Sequence, residues 1–161
     1  MIKEYNNLLN TNYFDELNSL VTDPNFAWHL NKNTSHNDGN FMFTHVLYND
    51  EAGVNSNYYE SFLPLIIKAG IAIGQSTLLR AKLNLYGRTS EIIHHPDHVD
   101  MKLSHKGAVF SLNTCDGGTV IDGEKFDSVA NRILFFDPSK PHHSTSTTDV
   151  KRRLNVNINY I

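Results

Sequence analysis

The chain has 161 residues, of which 40% are hydrophobic and 19% charged, as expected for one globular domain rather than a disordered protein. Its net charge is −3 and no segment concentrates basic residues, so we expect neither nucleic acid nor an anionic membrane surface as a partner. A single cysteine excludes an internal disulfide framework, and no apolar run reaches the ~18 residues of a membrane span, so a cytoplasmic location is expected.

Helices are predicted in the first half of the chain. Asn10 or Thr11 can cap a helix that continues through Leu20, because apolar side chains recur on one face of this segment. A second helix is predicted over about residues 56–68, ended by Gly70. Between the helices, the sequence predicts a polar surface loop over residues 31–40 and a strand over 41–48.

From Thr77 onward the sequence changes to short strands separated by turns. Strands are predicted over residues 78–86, 108–113, 119–121, 132–136 and 153–160. This spacing indicates a mainly β (α+β) fold, a β-sandwich or jelly roll with the N-terminal helices packed on one sheet. We therefore expect a single domain over residues 1–161, with helical support over about 1–76 and a jelly-roll core over about 77–161.

The last predicted strand has one apolar and one polar face, because alternate residues of a strand point to opposite sides. The apolar side carries Leu154, Val156, Ile158 and Tyr160, and the polar side carries Arg153, Asn155, Asn157 and Asn159. The apolar face must be buried. The polar face either meets solvent or lines a wet pocket, and the pattern is compatible with both.

Six of the nine histidines lie within residues 94–105 and 142–143, and clustered histidine is typical of a metal site. Residues 94–100 contain two overlapping His-x-Asp pairs, His95/Asp97 and His98/Asp100. In an extended backbone, residues i and i+2 point to the same side, so either pair can offer an imidazole and a carboxylate to one ion.

A second histidine from a distant strand would complete a set of two histidines and one carboxylate. This set leaves coordination positions open and is that of the non-haem Fe(II) oxygenases. His142, which follows the predicted strand 132–136, can supply it. Arg153 begins the polar face of the last strand and could clamp a dicarboxylate cosubstrate through two parallel hydrogen bonds. Arg152 shares the Leu154 face instead, which makes Arg153 the better candidate.

This order of motifs resembles the 2-oxoglutarate/Fe(II)-dependent oxygenases, closest to their prolyl-hydroxylase-like branch and to small phage-encoded members. The resemblance covers about Leu78 to the C-terminus and rests on segments 98–100, 104–114, 116–119, 131–137, 141–142 and 153–160. It implies a double-stranded β-helix (jelly-roll) fold, Fe(II) as the metal, and 2-oxoglutarate and O2 as cosubstrates. The implied reaction is a hydroxylation coupled to decarboxylation of 2-oxoglutarate to succinate.

The resemblance also implies roles for individual residues. His98, Asp100 and His142 would bind the iron and carry the catalysis, and Arg153 would bind the distal carboxylate of 2-oxoglutarate. Related hydroxylases can place a tyrosine at the position of Tyr86 to hydrogen-bond the cosubstrate, although an ordinary half-buried strand tyrosine fits the sequence equally well.

The two His-x-Asp pairs compete for the metal. His-Val-Asp at 98–100 matches the family motif directly. The pair His95/Asp97 has Pro96 between its members, and proline removes a backbone donor that a strand would use. The pair His95/Asp97 remains the alternative.

Two other interpretations stay open. The histidine-rich segment could be a surface loop without a metal, which the presence of His142 and Arg153 in the right order disfavours. A jelly roll could also recognise a peptide or glycan without catalysis, because a fold alone does not fix function. By analogy with the family, the expected substrate is a prolyl residue of a peptide or protein, in the host cytoplasm if the chain is phage-encoded.

Overall fold

The computed structural model describes residues 2–161, which form two helices and eleven strands. The helices are α1 (Thr11–Thr22) and α2 (Tyr59–Ile73). The strands are β1 (Lys3–Tyr5), β2 (His29–Asn31), β3 (Met42–Asn49), β4 (Gly53–Val54), β5 (Leu78–Gly87), β6 (Lys106–Ser111), β7 (Gly118–Ile121), β8 (Glu124–Asp127), β9 (Arg132–Phe136), β10 (His142–Ser144) and β11 (Arg152–Tyr160).

The strands form two antiparallel sheets that lie face to face. The larger sheet has the order β1-β9-β6-β11-β5-β3-β2, with β4 paired to β3, and the smaller sheet has the order β10-β7-β8. Val109 and Leu134 of the larger sheet share a buried apolar cluster with Ile121 of the smaller one. The predicted mainly β, jelly-roll architecture is confirmed.

Both helices cover the outer face of the larger sheet. Leu17 of α1 and Phe62 of α2 belong to one buried apolar cluster together with Leu83 and Val156 of the central strands. Removing these side chains from water is the main contribution to stability. The expected packing of the N-terminal helices on one sheet is therefore confirmed.

The inner faces of the central strands β5 and β11 are polar. Because the two strands are paired in register, Tyr86 lies beside Arg153, Asn84 beside Asn155, and Lys82 beside Asn157. Arg153, Asn155 and Asn157 are all buried, so the polar face of the last strand lines the space between the sheets rather than meeting bulk solvent.

The helix boundaries differ in part from those predicted. Asn10 caps α1 by accepting a hydrogen bond from the Tyr13 N–H at 3.0 Å, as its sequence position indicates. The prediction that Gly70 ends the second helix is wrong, since α2 continues to Ile73 and ends at Gly74, which has a φ of +68°. Gly70 is needed for close approach instead: a Cβ there would lie 2.8 Å from the Gln75 carbonyl oxygen.

The first half of the chain contributes more than helical support. Strands β1, β2, β3 and β4 all belong to the larger sheet, with β3 paired directly to β5. Of these, only β3 has the length that makes a strand pattern recognisable in the sequence. No helix within residues 2–161 is both long and apolar enough to cross a membrane.

Candidate metal centre

Three side chains with metal-ligating atoms converge at one end of the space between the sheets. His142 begins β10, and its backbone pairs with that of His98: the His98 N–H donates to the His142 carbonyl oxygen at 2.9 Å, and the His142 N–H donates back at 3.0 Å. The Asp100 N–H donates to the Pro138 carbonyl oxygen at 2.9 Å. Backbone hydrogen bonds thus bring the His-Val-Asp segment against β10.

The ligand atoms of this triad (His98, Asp100 and His142) are close enough to share one ion. Asp100 Oδ1 lies 3.7 Å from His98 Nε2 and 4.0 Å from His142 Nε2, and one ligand atom from each residue lies within 4.8 Å of the others. His142 Nδ1 lies 2.9 Å from the Lys140 carbonyl oxygen, to which it can only donate. This fixes the tautomer in which Nε2 keeps its lone pair for a metal.

The alternative pair is not arranged around a common point. His95 is buried and its ring stacks on Tyr86 at a centroid distance of 5.4 Å, with Nδ1 at 2.8 Å from the Ser144 hydroxyl. Burial lowers the pKa of His95 to about 4. Asp97 is exposed and accepts a hydrogen bond from His143 Nδ1 at 2.6 Å. His95 and Asp97 thus have different partners, and the cluster of metal-ligating side chains found within residues 2–161 includes neither of them.

Asp100 is held as a carboxylate by its neighbours. Arg80 contacts Oδ1 at 3.0 Å, while the amides of Asn157 and Asn159 donate to Oδ2 at 3.2 and 3.0 Å. Burial raises the pKa of Asp100, but Arg80 and His142 outweigh it, and the pKa falls well below its usual range. Burial and then His142 lower the pKa of His98, so its imidazole is neutral at neutral pH and available to a metal.

Arg153 is a buried cation without an anionic partner. It is 1% exposed, and its two terminal nitrogens donate to the Thr145 carbonyl oxygen and the Thr119 hydroxyl, both at 3.2 Å. Within residues 2–161, its Nε has no hydrogen-bond partner and no carboxylate lies within ion-pair distance. Arg152, by contrast, is exposed. A buried guanidinium in this state is suited to receive an anion.

Tyr86 lies against Arg153, whose guanidinium carbon is 5.2 Å from the centre of the tyrosine ring. Burial raises the pKa of Tyr86, so the hydroxyl keeps its proton and can donate a hydrogen bond. Gly117 makes room for the stem of the arginine, because a Cβ at this position would lie 3.0 Å from Arg153 Cδ and 2.3 Å from the Ser146 carbonyl oxygen.

One pocket joins these groups. We call it the site pocket, and its lining includes Lys82, Asn84, Tyr86, His98, Asp100, Thr119, His142, Ser144, Arg153, Asn155 and Asn157. The triad and Arg153 therefore open into the same space. Every site residue expected from the sequence lines it.

Comparisons with known proteins rest on structure alone, because neither a protein-family model nor a curated protein matches the sequence. An oxidoreductase of the 2OG-Fe(II) oxygenase family from Burkholderia pseudomallei is similar over 99% of this chain and 84% of its own, with a TM-score of 0.76 and 14% identity. A prolyl hydroxylase from Trichoplax adhaerens, in complex with a hypoxia inducible factor peptide fragment, matches over 99% and 83%, with a TM-score of 0.69 and 16% identity. The chain has the fold of the 2-oxoglutarate/Fe(II) oxygenases. A non-heme alpha ketoglutarate dependent epimerase from nogalamycin biosynthesis also matches, over 99% and 77%, with a TM-score of 0.61 and 12% identity.

Four residues that bind Asp100 or line the site pocket were not predicted as site residues from the sequence. Arg80, Asn157 and Asn159 bind Asp100, and Lys82 lines the site pocket. Asn157 and Asn159 belong to the polar face predicted for the last strand, but a pattern of alternation does not tell which side chains meet across a sheet. Burial and the neighbouring Arg80 lower the pKa of Lys82 to about 8, so its side chain is a cation at neutral pH.

Proposed function

We propose that the protein is an Fe(II)- and 2-oxoglutarate-dependent dioxygenase that acts as a hydroxylase. The observation that carries the proposal is the placement of the triad and of the anion-free Arg153 in one pocket. Two imidazoles and one carboxylate are a donor set suited to Fe(II), and they leave positions for a bidentate ligand and O2. The 2-oxoglutarate/Fe(II) oxygenase fold supports the same conclusion.

Each residue has a defined task in this proposal. His98, Asp100 and His142 hold the metal, while Arg80 and two asparagines keep the carboxylate ionised and oriented. Arg153 binds the distal carboxylate of 2-oxoglutarate, and Tyr86 offers its hydroxyl to the same cosubstrate. When bound, the iron would activate O2, whose reduction takes two electrons from the conversion of 2-oxoglutarate to succinate and carbon dioxide and two from hydroxylation of the substrate.

For the substrate, we propose a prolyl residue of a peptide or protein. Support comes from solved structures of the same fold that are prolyl hydroxylases, one of them in complex with a peptide fragment. The epimerase of this fold indicates that the outcome of the oxidation depends on the substrate and on the walls of the pocket. The substrate class is therefore tested separately from the oxidative chemistry.

The first experiment measures succinate formed from 2-oxoglutarate with Fe(II) and O2, with wild-type protein and with His142→Ala. We expect succinate from the wild type and a loss of at least about 100-fold in the variant, because removing a metal ligand empties the site. His29→Ala, an exposed histidine on β2, is the matched control and should keep full activity. Equal succinate formation by His142→Ala would refute the proposal.

The second experiment incubates the active protein with proline-containing peptides and reads mass spectra for a gain of one oxygen atom. The expected result is a gain that requires 2-oxoglutarate and is absent in His142→Ala. Oxidation of a different residue would preserve the dioxygenase and refute the prolyl substrate. Tight peptide binding without succinate from any wild-type mixture would favour the non-catalytic binding module.

A further inference from the structure

We propose that Lys82 is a second anion-binding residue of the site pocket, which contacts a carboxylate other than the one bound by Arg153. This inference rests on the proposed function, since it concerns ligands that meet in the same pocket. The carboxylate has two sources, the 1-carboxylate of 2-oxoglutarate and a carboxylate of the primary substrate, which the experiments below distinguish.

The first observation is that the Lys82 ammonium group is unpaired. Lys82 lies on the inner face of β5 between Arg80 and Asn84, and it lines the pocket into which the triad opens. None of the hydrogen bonds or ion pairs found across residues 2–161 involves its ammonium group. Asp100, the nearby carboxylate, is engaged by Arg80 and by two asparagine amides instead.

The second observation is the charge of the pocket. Arg80 offsets the negative charge of Asp100, which leaves the charges of Lys82 and Arg153 uncompensated. A divalent metal and the dianion 2-oxoglutarate would cancel each other, so the excess positive charge would persist when both are bound. An anionic group close to Lys82 is therefore favoured on electrostatic grounds.

The third observation is the distance along the strand. Lys82 and Tyr86 are four residues apart on β5, which is on the order of 13 Å in extended backbone, and Tyr86 is the register partner of Arg153. The backbones that carry the two cations are separated by that span, and hydrogen bonds to Thr145 and Thr119 hold the Arg153 guanidinium in place, so we assign the two cations to different carboxylates. The backbone of Lys82 lies opposite Asn157 in the sheet, and the Asn157 side chain binds Asp100. Lys82 therefore lies toward the metal end of the pocket.

The first experiment measures binding of two probes to the Mn(II)-loaded protein by calorimetry without O2. The probes are 2-oxoglutarate and levulinate, in which a methyl group replaces the 1-carboxylate. If the 1-carboxylate is the ligand, Lys82→Met should weaken 2-oxoglutarate about 10–100-fold and leave levulinate unchanged, as expected for a charge-assisted hydrogen bond. Lys82→Arg should retain most of the affinity, and Lys68→Met, on the exposed side of α2, serves as the matched control.

The second experiment tests the substrate as the source. With 2-oxoglutarate saturating, Mn(II) should enhance the relaxation of the methyl protons of acetate but not of uncharged acetamide. Lys82→Met should abolish the enhancement if Lys82 takes a second carboxylate, while 2-oxoglutarate binding stays unchanged. Lys82→Gln repeats both measurements with a polar, uncharged side chain, and thermal unfolding of each variant verifies that it is folded.

The outcomes are separable. An effect of Lys82→Met in either experiment supports the inference and names the source of the carboxylate. No effect in both, with wild-type binding of Mn(II) and 2-oxoglutarate intact, overturns the role of Lys82 and leaves the proposed dioxygenase standing. Failure of the wild type to bind Mn(II) and 2-oxoglutarate overturns both.

Discussion

Replacing Arg153 by methionine removes the guanidinium while keeping most of the apolar stem, and it separates cosubstrate binding from metal binding. Arg153 is 1% exposed, and its guanidinium donates to neutral oxygen atoms of Thr145 and Thr119. If the distal carboxylate of 2-oxoglutarate binds the Arg153 guanidinium, it has no partner for its buried charge in Arg153→Met. Losing one partner of a buried ion pair costs about 3–5 kcal/mol. That corresponds to about 100- to 10,000-fold weaker binding.

Metal affinity should change little, because Arg153 makes no hydrogen bond or ion pair with the triad. The assay is calorimetric titration of 2-oxoglutarate and of Mn(II), without O2, into wild type, Arg153→Met and Arg152→Met. Arg152 is the adjacent, exposed control. Unchanged 2-oxoglutarate affinity in Arg153→Met, or a large loss in Arg152→Met, would refute the assignment. The free energy of unfolding of ligand-free Arg153→Met should remain near that of the wild type, because removing this charge leaves no anionic partner unpaired.

Two further predictions follow from the site. Protons compete with a metal for His98 while Asp100 stays ionised, so the metal-induced rise in Tm should be largest at neutral pH and should decrease in acid. Protonation of His98 removes the lone pair that the metal needs, and because burial and then His142 lower the pKa of His98, the rise in Tm should be lost below the usual pKa of histidine. A Tm shift independent of pH would contradict coordination by His98. Gly117→Ala places a Cβ against the Ser146 carbonyl and Arg153 Cδ, so it should destabilise the protein by about 1–3 kcal/mol and weaken 2-oxoglutarate binding. If Gly117→Ala has the same stability in chemical denaturation and the same affinity for 2-oxoglutarate as the wild type, the loop that contains Gly117 must relax to accept the methyl group.

The long strands and the first helix could be predicted because their side chains repeat with the right period. Strand 132–136 is observed with the predicted limits, and the predicted strands 78–86 and 153–160 differ from β5 and β11 by one residue each. Strands β1, β2 and β10 have only three residues, too few for a period, and they exist because a longer neighbour offers them hydrogen bonds. The end of α2 was predicted four residues early, since Gly70 serves packing rather than capping.

The site residues also fall into those that the sequence could predict and those that it could not. The i, i+2 spacing allows both His95/Asp97 and His98/Asp100 to act as a pair, and the resemblance favours the latter. Arg153 could be distinguished from Arg152 by alternation along β11. Lys82 and the contact of Arg80 with Asp100 could not, because they depend on which residues of β5 face the loop at 96–100. That information lies in the tertiary arrangement and not in the local pattern.

The backbone bridge between His98 and His142 has a thermodynamic consequence. Two main-chain hydrogen bonds join the backbones of these residues, and their rings lie at a centroid distance of 4.6 Å. Little conformational entropy then remains to be lost when an ion arrives, which would otherwise cost about 1–2 kcal/mol for each backbone residue that becomes fixed. An ion should therefore be able to leave and return without the loop having to refold, and exchange of the His98 and His142 amide protons should be slow in the metal-free protein as well.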